Sequence, residues 1–454
     1  MQSLVALVTS ILGQAPVLVA LVAFIGFVAQ RASWERTIVG SLKAFMGMLI
    51  MVQGAGVLVG MLGPMADIMA EGFGFQGIAP LNEPIVALVM TKFAQEMALV
   101  TVGAFIVNVI VAWLTPLKYI FLSGHHILFI ATVTVALQHV IGVEGPMVLV
   151  YGSLISGITM AMMPAFAYSF MHKATKGAGF SMGHLATFGY VLASIVAKFT
   201  GGDPEETDAE KIDWTGRLSF FRESLLLMGI GVAIVYVIAG ILAGADFVNQ
   251  YTGGQNFVVW MFTQGFVYAA GVAIILLGVR TFVAEIVPSF RGISERIVPG
   301  AIPALDVPAV FPYGPNSLLI GMAGYTVGMV LQGILLIAIG FPVVVIPVLV
   351  LAFFMGGGAG VMANGQGGRR GAFIGSLVDG FFQSVTAAML YIAMESLGFT
   401  GTTFSDSDFI LTGLFIHWIR NMPLVLALYV VFAAIAIWVE LKVNRPYVAA
   451  HPFD

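Results

Sequence analysis

A few polar residues in an otherwise apolar chain sit where they could bind a solute. The sharpest is Asp306, in IPALDVPAVFPYGPN, where Pro303, Pro308, Pro312 and Pro315, with Pro299 just upstream, rule out one continuous helix. Each proline lacks an N–H donor and clashes with the preceding turn. The segment is apolar enough to lie at membrane depth, where broken backbone is tolerated only if protein buries it or a wet cavity meets it. A carboxylate at that depth is a functional-site candidate, and when ionised it accepts hydrogen bonds from two hydroxyl groups at once. Its other reading is a helix-capping aspartate, which does not exclude ligand contact.

His125 and His126 follow Ser123-Gly124 at the start of an apolar span, and His184 follows the glycine-rich break GAGFSMG. Neutral imidazole both donates and accepts hydrogen bonds, which suits a hydroxyl-rich solute. The plainer reading of the pair is structural; that of His184 is a helix start facing the cytoplasm. Asn82-Glu83-Pro84 reads equally as a re-entrant tip reaching the same pocket or as an outside capping turn. Asn364 and Gln366, in ANGQGG, could add amide contacts, although a plain cytoplasmic turn suits them better. Glu285, Arg291, Glu295 and Arg296 read as a solvated face on which a soluble partner could dock.

These residues must be positioned by membrane elements. Of 454 residues, 59% are hydrophobic and 9% charged, against about 25% charged in a soluble domain. Mean hydropathy is +1.00. The fold class expected is an all-α polytopic membrane protein. Apolar spans fall at 15–30, 38–62, 96–114, 120–140, 146–167, 221–243, 257–279, 316–338, 340–355, 371–395 and 409–439, about eleven transmembrane segments. With the N-terminus outside, the loops at 31–37, 115–119, 168–220, 280–299 and 366–370 and the C-terminal tail face the cytoplasm. Counting adjacent helix ends, these hold all but Lys92 and Arg420 of the 19 basic residues, a strong positive-inside bias. The outside loops carry only acids: Asp67, Glu71, Glu83, Glu144, Asp246, Asp406 and Asp408.

The polar stretch 198–217 divides the chain into 1–197, with five spans, and 218–454, with six. Each half has a long apolar hairpin, a proline-interrupted polar segment (TPLKYIFLSGHH; IPALDVPAVFPYGPN) and a glycine-rich turn (KGAGFSMGH; GGGAGVMANGQGG). This is the pattern of inverted repeats, with which many transporters build a midplane site. No GxxxxGK[ST] or HExxH motif occurs, so neither an ATPase nor a metal array is expected. A basic domain for nucleic acid is missing, and the absence of cysteine excludes thiolate chemistry.

TPLKYIFLSGHH, KGAGFSMGH and VRTFVAEIVPSFRGISERIVPGAIPALD resemble, in order and separation, the ascorbate-type membrane component (IIC) of the bacterial phosphoenolpyruvate-dependent phosphotransferase system. The resemblance implies a homodimer in the bacterial inner membrane, each protomer a core domain that binds the sugar acid plus a V-shaped dimerisation domain. It implies alternating access and coupling to soluble IIA and IIB, with phospho-IIB as donor and no cofactor or metal. By motif, the substrate contacts fall on His125, His184 and Asp306, with Asn82 and Glu83 alongside. The chain departs from the ascorbate pattern at Phe129 and Leu185, where its relatives carry glutamine. Ascorbate is therefore the leading solute, and a related sugar acid or polyol is the alternative. An ion-coupled secondary transporter or facilitator is the competing class; no intramembrane acid apart from Asp306 and Asp379 offers it a coupling site.

Overall fold

The structure is a computed structural model and describes residues 15–73, 78–212, 224–296, 298–345, 347, 351–398 and 402–451. The side chains of Glu83, Arg291, Glu295 and Arg296 lie outside the described part.

The elements run α1 (Ala15–Ala29), α2 (Trp34–Phe73), β1 (Ala79–Pro80), α3 (Asn82–Leu114), β2 (Tyr119–Phe121), α4 (Gly124–Val140), α5 (Pro146–Ala174), β3 (Ser181–Met182) and α6 (Thr187–Thr200). They continue with α7 (Ser224–Ala243), α8 (Ala245–Thr252), α9 (Phe257–Arg296), β4 (Ile302–Leu305), α10 (Pro315–Ala338), α11 (Gly357–Ala393), β5 (Thr402–Thr403), α12 (Ser407–Ile419), α13 (Met422–Val439) and α14 (Arg445–Ala450). The chain is thus mostly helical, as a polytopic membrane protein must be. Among the described residues five helices are long and apolar enough to cross a membrane: Gln95–Leu114, Pro146–Ala174, Pro315–Ala338, Ala352–Ala393 and Met422–Ala450.

Helix packing separates into two groups. The helices α1, α2, α7 and α9 pack on one another, while α3 to α6 pack with α10 to α13. Each group draws on both halves of the chain.

The proline-rich segment is interrupted as the sequence predicts. After α9 the chain forms β4, then short 3-10 turns at Val307–Ala309 and Phe311–Tyr313, before α10 begins at Pro315. Its backbone polar groups are not orphaned, because β4 is the centre of a three-stranded parallel sheet, with Tyr119–Phe121 on one side and Ser181–Met182 on the other. A second parallel pair joins Ala79–Pro80 to Thr402–Thr403. Such pairing is what non-helical backbone needs wherever it lies within a membrane.

Four expectations are corrected. The span at 120–140 opens as strand β2, so the helix begins only at Gly124. The supposed loop 168–220 contains β3 and the helix α6, one face of which is buried where it packs against α11. The span at 409–439 breaks at Arg420, which adopts left-handed backbone between α12 and α13. Finally, GGGAGVMANGQGG is helical rather than a turn. A π-helical turn at Ala352–Gly356 leads straight into α11, and the break comes only at Gly367 and Gly368. Packing overrides glycine's weak helix propensity here. A Cβ on Gly360 would run into the Ser317 carbonyl and Gly321 of α10, the close approach that small residues permit between membrane helices.

Candidate functional site

The residues that meet in the core share one local design: each lies where a short strand hands over to a helix or helical turn. β2 ends at Phe121 and α4 starts at Gly124, so His125 and His126 occupy its first turn. β3 delivers His184 just before α6, β4 delivers Asp306 at the head of a 3-10 turn, and β5 delivers Asp406 just before α12. Asn82 is the first residue of α3, following β1. The starts of α3, α4, α6 and α12 therefore lie at this cluster, and helix N-termini favour negative charge.

Asp306 is the centre. Its Oδ1 accepts from the Val307 N–H at 2.8 Å and from His184 Nδ1 at 2.6 Å, so it is cap and cluster member at once. Its Oδ2 faces His125 Nε2 at 3.5 Å, and His126 Nε2 lies 3.9 Å from Oδ1. His125 is the open edge, its side chain 33% exposed against 8% for Asp306. His126 and His184 are buried, their rings 4.0 Å apart between centroids.

The sequence reading missed the second carboxylate. Asp406, expected in an outside loop, is fully buried. Its Oδ1 accepts from Asn82 Nδ2 at 2.7 Å and from the Ser405 hydroxyl, while Oδ2 stands 3.3 Å from His184 Nε2 and 3.6 Å from His126 Nδ1. Asn82 Oδ1 in turn accepts from the Ser405 N–H at 3.0 Å. Asp408, expected in the same outside loop, is also buried and caps α6, accepting from the N–H groups of Thr187 and Phe188 at 3.0 and 2.9 Å. The sequence signal was a D-S-D run directly before an apolar helix. Among the described residues only histidines face Asp306 and Asp406 within ion-pair distance.

His125, His184 and Asp306 are thus brought together, and Asn82 joins them through Asp406. Phe129 lies beside His125, ring centroids 5.6 Å apart, and Leu185 gives its backbone N–H to His126 Nδ1 at 3.3 Å. Asp379 is buried and accepts from Gln383 at 3.0 Å.

Asn364 stands apart from the cluster. Its Oδ1 accepts from the Ala209 N–H at 2.9 Å and its Nδ2 donates to Asp208 at 2.6 Å, tying down the loop after α6. Gln366 is half-buried on the same stretch of α11. Glu285 is not on a solvated face; it is buried and paired with Arg36 at 2.6 Å.

Chemically, the cluster offers imidazole N–H and N groups and carboxylate oxygens within a few ångströms of one another, able to hydrogen-bond several hydroxyls of one small solute. Comparison with known proteins gives the family. The profile of the EIIC-GAT family, described as PTS system sugar-specific permease component, matches residues 10–408. The chain is 26% identical over 427 residues to the ascorbate-specific PTS system EIIC component of Mycoplasma pneumoniae, an alignment covering 82% of this chain. The chain spans 64% of the length of that relative. On the match to nearly all of its length before α12, this chain belongs to the EIIC-GAT family of PTS sugar-specific permease components.

Proposed function

We propose that the chain is a phosphotransferase-system permease subunit that imports ascorbate or a related sugar acid by alternating access, coupled to phosphorylation by soluble IIA and IIB components. The observation that carries the reading is the meeting of His125, His184 and Asp306 in a buried cluster with one open edge, in a chain of this family. Solute hydroxyls would donate to Asp306 Oδ2, and His125 at the open edge and the helix N-termini would receive the acidic part of a sugar acid.

In this reading the chain crosses the membrane eleven times, with its N-terminus outside. The helices α3 to α6 and α10 to α13 form the core that carries the solute, and α1, α2, α7 and α9 form the V-shaped part that joins two copies. The two packing groups support that division. Different contacts with the solute in the outward and inward states let the core move. Phospho-IIB then adds charge to the solute at the cytoplasmic mouth, which disfavours return; the chain has no cysteine of its own to carry the phosphoryl group.

The test is uptake into vesicles containing the purified chain. Uptake should require phosphoenolpyruvate and the soluble partners, and should deliver phosphorylated solute. Calorimetry against ascorbate, sugar acids and polyols identifies the solute. A second reading, ion-coupled transport, draws on the burial of Asp379, Asp406 and Asp408 in addition to Asp306. It predicts accumulation of unmodified solute that collapses with the ion gradient.

A further inference from the structure

The deep side of the cluster has a feature that solute hydroxyls do not explain. His184 Nε2 and Asp406 Oδ2 are both buried, lie 3.3 Å apart, and neither has a hydrogen-bond partner among the described residues. His184 uses its other nitrogen, Nδ1, on Asp306, so in the neutral ring Nε2 is a lone pair aimed at a carboxylate. His126 Nδ1 completes a triangle, 3.6 Å from the same oxygen. It accepts a long bond from the Leu185 N–H, which marks it too as a lone pair.

We propose that His126 Nδ1, His184 Nε2 and Asp406 Oδ2 form a binding site for a divalent transition-metal ion of the zinc class. Three lone-pair atoms of imidazole and carboxylate converge there, all within 4.8 Å of one another. A tetrahedral zinc ion with bonds of about 2.0–2.2 Å holds its ligand atoms roughly 3.3–3.5 Å apart, close to the 3.3 and 3.6 Å measured to Asp406. Two of the three ligands are anchored from behind in the manner of metal-site second shells. His184 Nδ1–H donates to Asp306, and Asp406 Oδ1 accepts from Asn82 and Ser405, which aims Oδ2 at the histidines. The donor set, two nitrogens and one oxygen, suits borderline ions such as Zn2+ and Co2+. The charge also fits: Asp306 and Asp406 face no lysine or arginine among the described residues, and a dication offsets both. The ion would fasten α4, the β3–α6 junction and the start of α12 to one another, and His125 with Asp306 forms a second, outer triad with His126 on the exposed side.

The proposal does not depend on the identity of the solute. It is tested on the full chain, purified in detergent and stripped with a chelator, by calorimetric titration with Zn2+ and by the visible spectrum with Co2+. One ion per chain, the intense d–d bands of tetrahedral cobalt and a rise in melting temperature with Zn2+ are expected. Asp406→Asn and His126→Gln should each weaken Zn2+ binding at least tenfold, whereas His125→Gln should retain it. The cobalt spectrum of the unaltered chain keeps the test valid if a variant fails to fold. Absence of stoichiometric binding and of the cobalt bands, which would leave a proton alone between His184 and Asp406, overturns the proposal. So does binding lost in His125→Gln but kept in Asp406→Asn. Solute binding is measured separately on the chelator-treated protein, so failure of either reading is read independently of the other.

Discussion

Asn82 Nδ2 donates to Asp406 Oδ1 at 2.7 Å across 324 positions of the chain. The bond lies beside the parallel pairing of β1 with β5, which sets Ala79 opposite Thr402 and Pro80 opposite Thr403. A strand end from each half thus feeds one polar residue to a shared point, and the two residues hold each other in register. Asn82 also accepts from the Ser405 N–H, so its amide is used on both sides.

Asn82→Ala should therefore remove a donor from Asp406 and an acceptor from Ser405 in a buried setting. Leaving such groups unpaired costs about 1–3 kcal/mol. The melting temperature of the purified chain should fall, and solute binding by calorimetry should weaken because Asp406 loses its orientation. Unchanged values for both would mean that Asp406 is positioned by Ser405 alone.

What the sequence disclosed and what it hid follow from how far each signal reaches. Asp306 was legible because four prolines and a carboxylate in an apolar stretch leave few alternatives. Asp406 was not, since the strand that delivers it has two residues, and a pair of threonines has no periodicity to read. The helix α6 escaped because its 14 residues are shorter than a span and follow a glycine-rich turn. The helical path through Gly357–Gly360 was invisible for a related reason: only the neighbouring helix α10, approached closely through Gly321, makes glycine the right residue there.

The loop after α6 provides a second expectation. Expected only as a polar cytoplasmic loop between the halves, it folds against the core, where the Glu210 carboxylate accepts from the N–H groups of Asn316 and Ser317 at 3.0 and 2.8 Å. These are unsatisfied donors of the first turn of α10, and the negative charge suits the positive end of the helix. Glu210→Ala should destabilise the start of α10 by about 0.5–2 kcal/mol, the range for a lost cap. Hydrogen exchange over 315–320 should quicken while the core helices keep their protection. Unaltered exchange there would show that Asn316, whose side chain donates to the Ala209 carbonyl at 3.1 Å, secures the turn without the carboxylate.

Phe129 bears on the solute. Its ring is buried beside those of His125 and Phe409, at a position where the resemblance to ascorbate-type components implies glutamine. Phe129→Gln would place an amide against His125 and, without ligand, leave it short of partners, at a cost of about 1–3 kcal/mol. The free variant should melt lower than the parent, and saturating ascorbate should raise its melting temperature by more than it raises the parent's. An ascorbate shift equal to or smaller than the parent's would mean that the aromatic ring belongs to the chain's own solute, and would favour a less polar sugar derivative.

The most direct expectation concerns Asp306. Asparagine is nearly isosteric and its Oδ1 can still accept from the Val307 N–H, so Asp306→Asn should keep the turn before α10 and the parallel sheet around β4. The acceptor that faces His125 is replaced by an NH2 group, or else the amide flips and puts that NH2 against the His184 Nδ1–H. Either way the histidines lose a carboxylate acceptor, and so does a solute hydroxyl, which forfeits the charged acceptor whose bonds are about twice as strong as neutral ones. Solute binding by calorimetry should fall more than tenfold and the melting temperature without solute should drop, as for any buried polar group left short of a partner, while the elution volume stays that of the parent. Binding equal to the parent's would reduce Asp306 to the helix-capping role that its bond to Val307 already fulfils, and would move the solute pocket away from the three histidines.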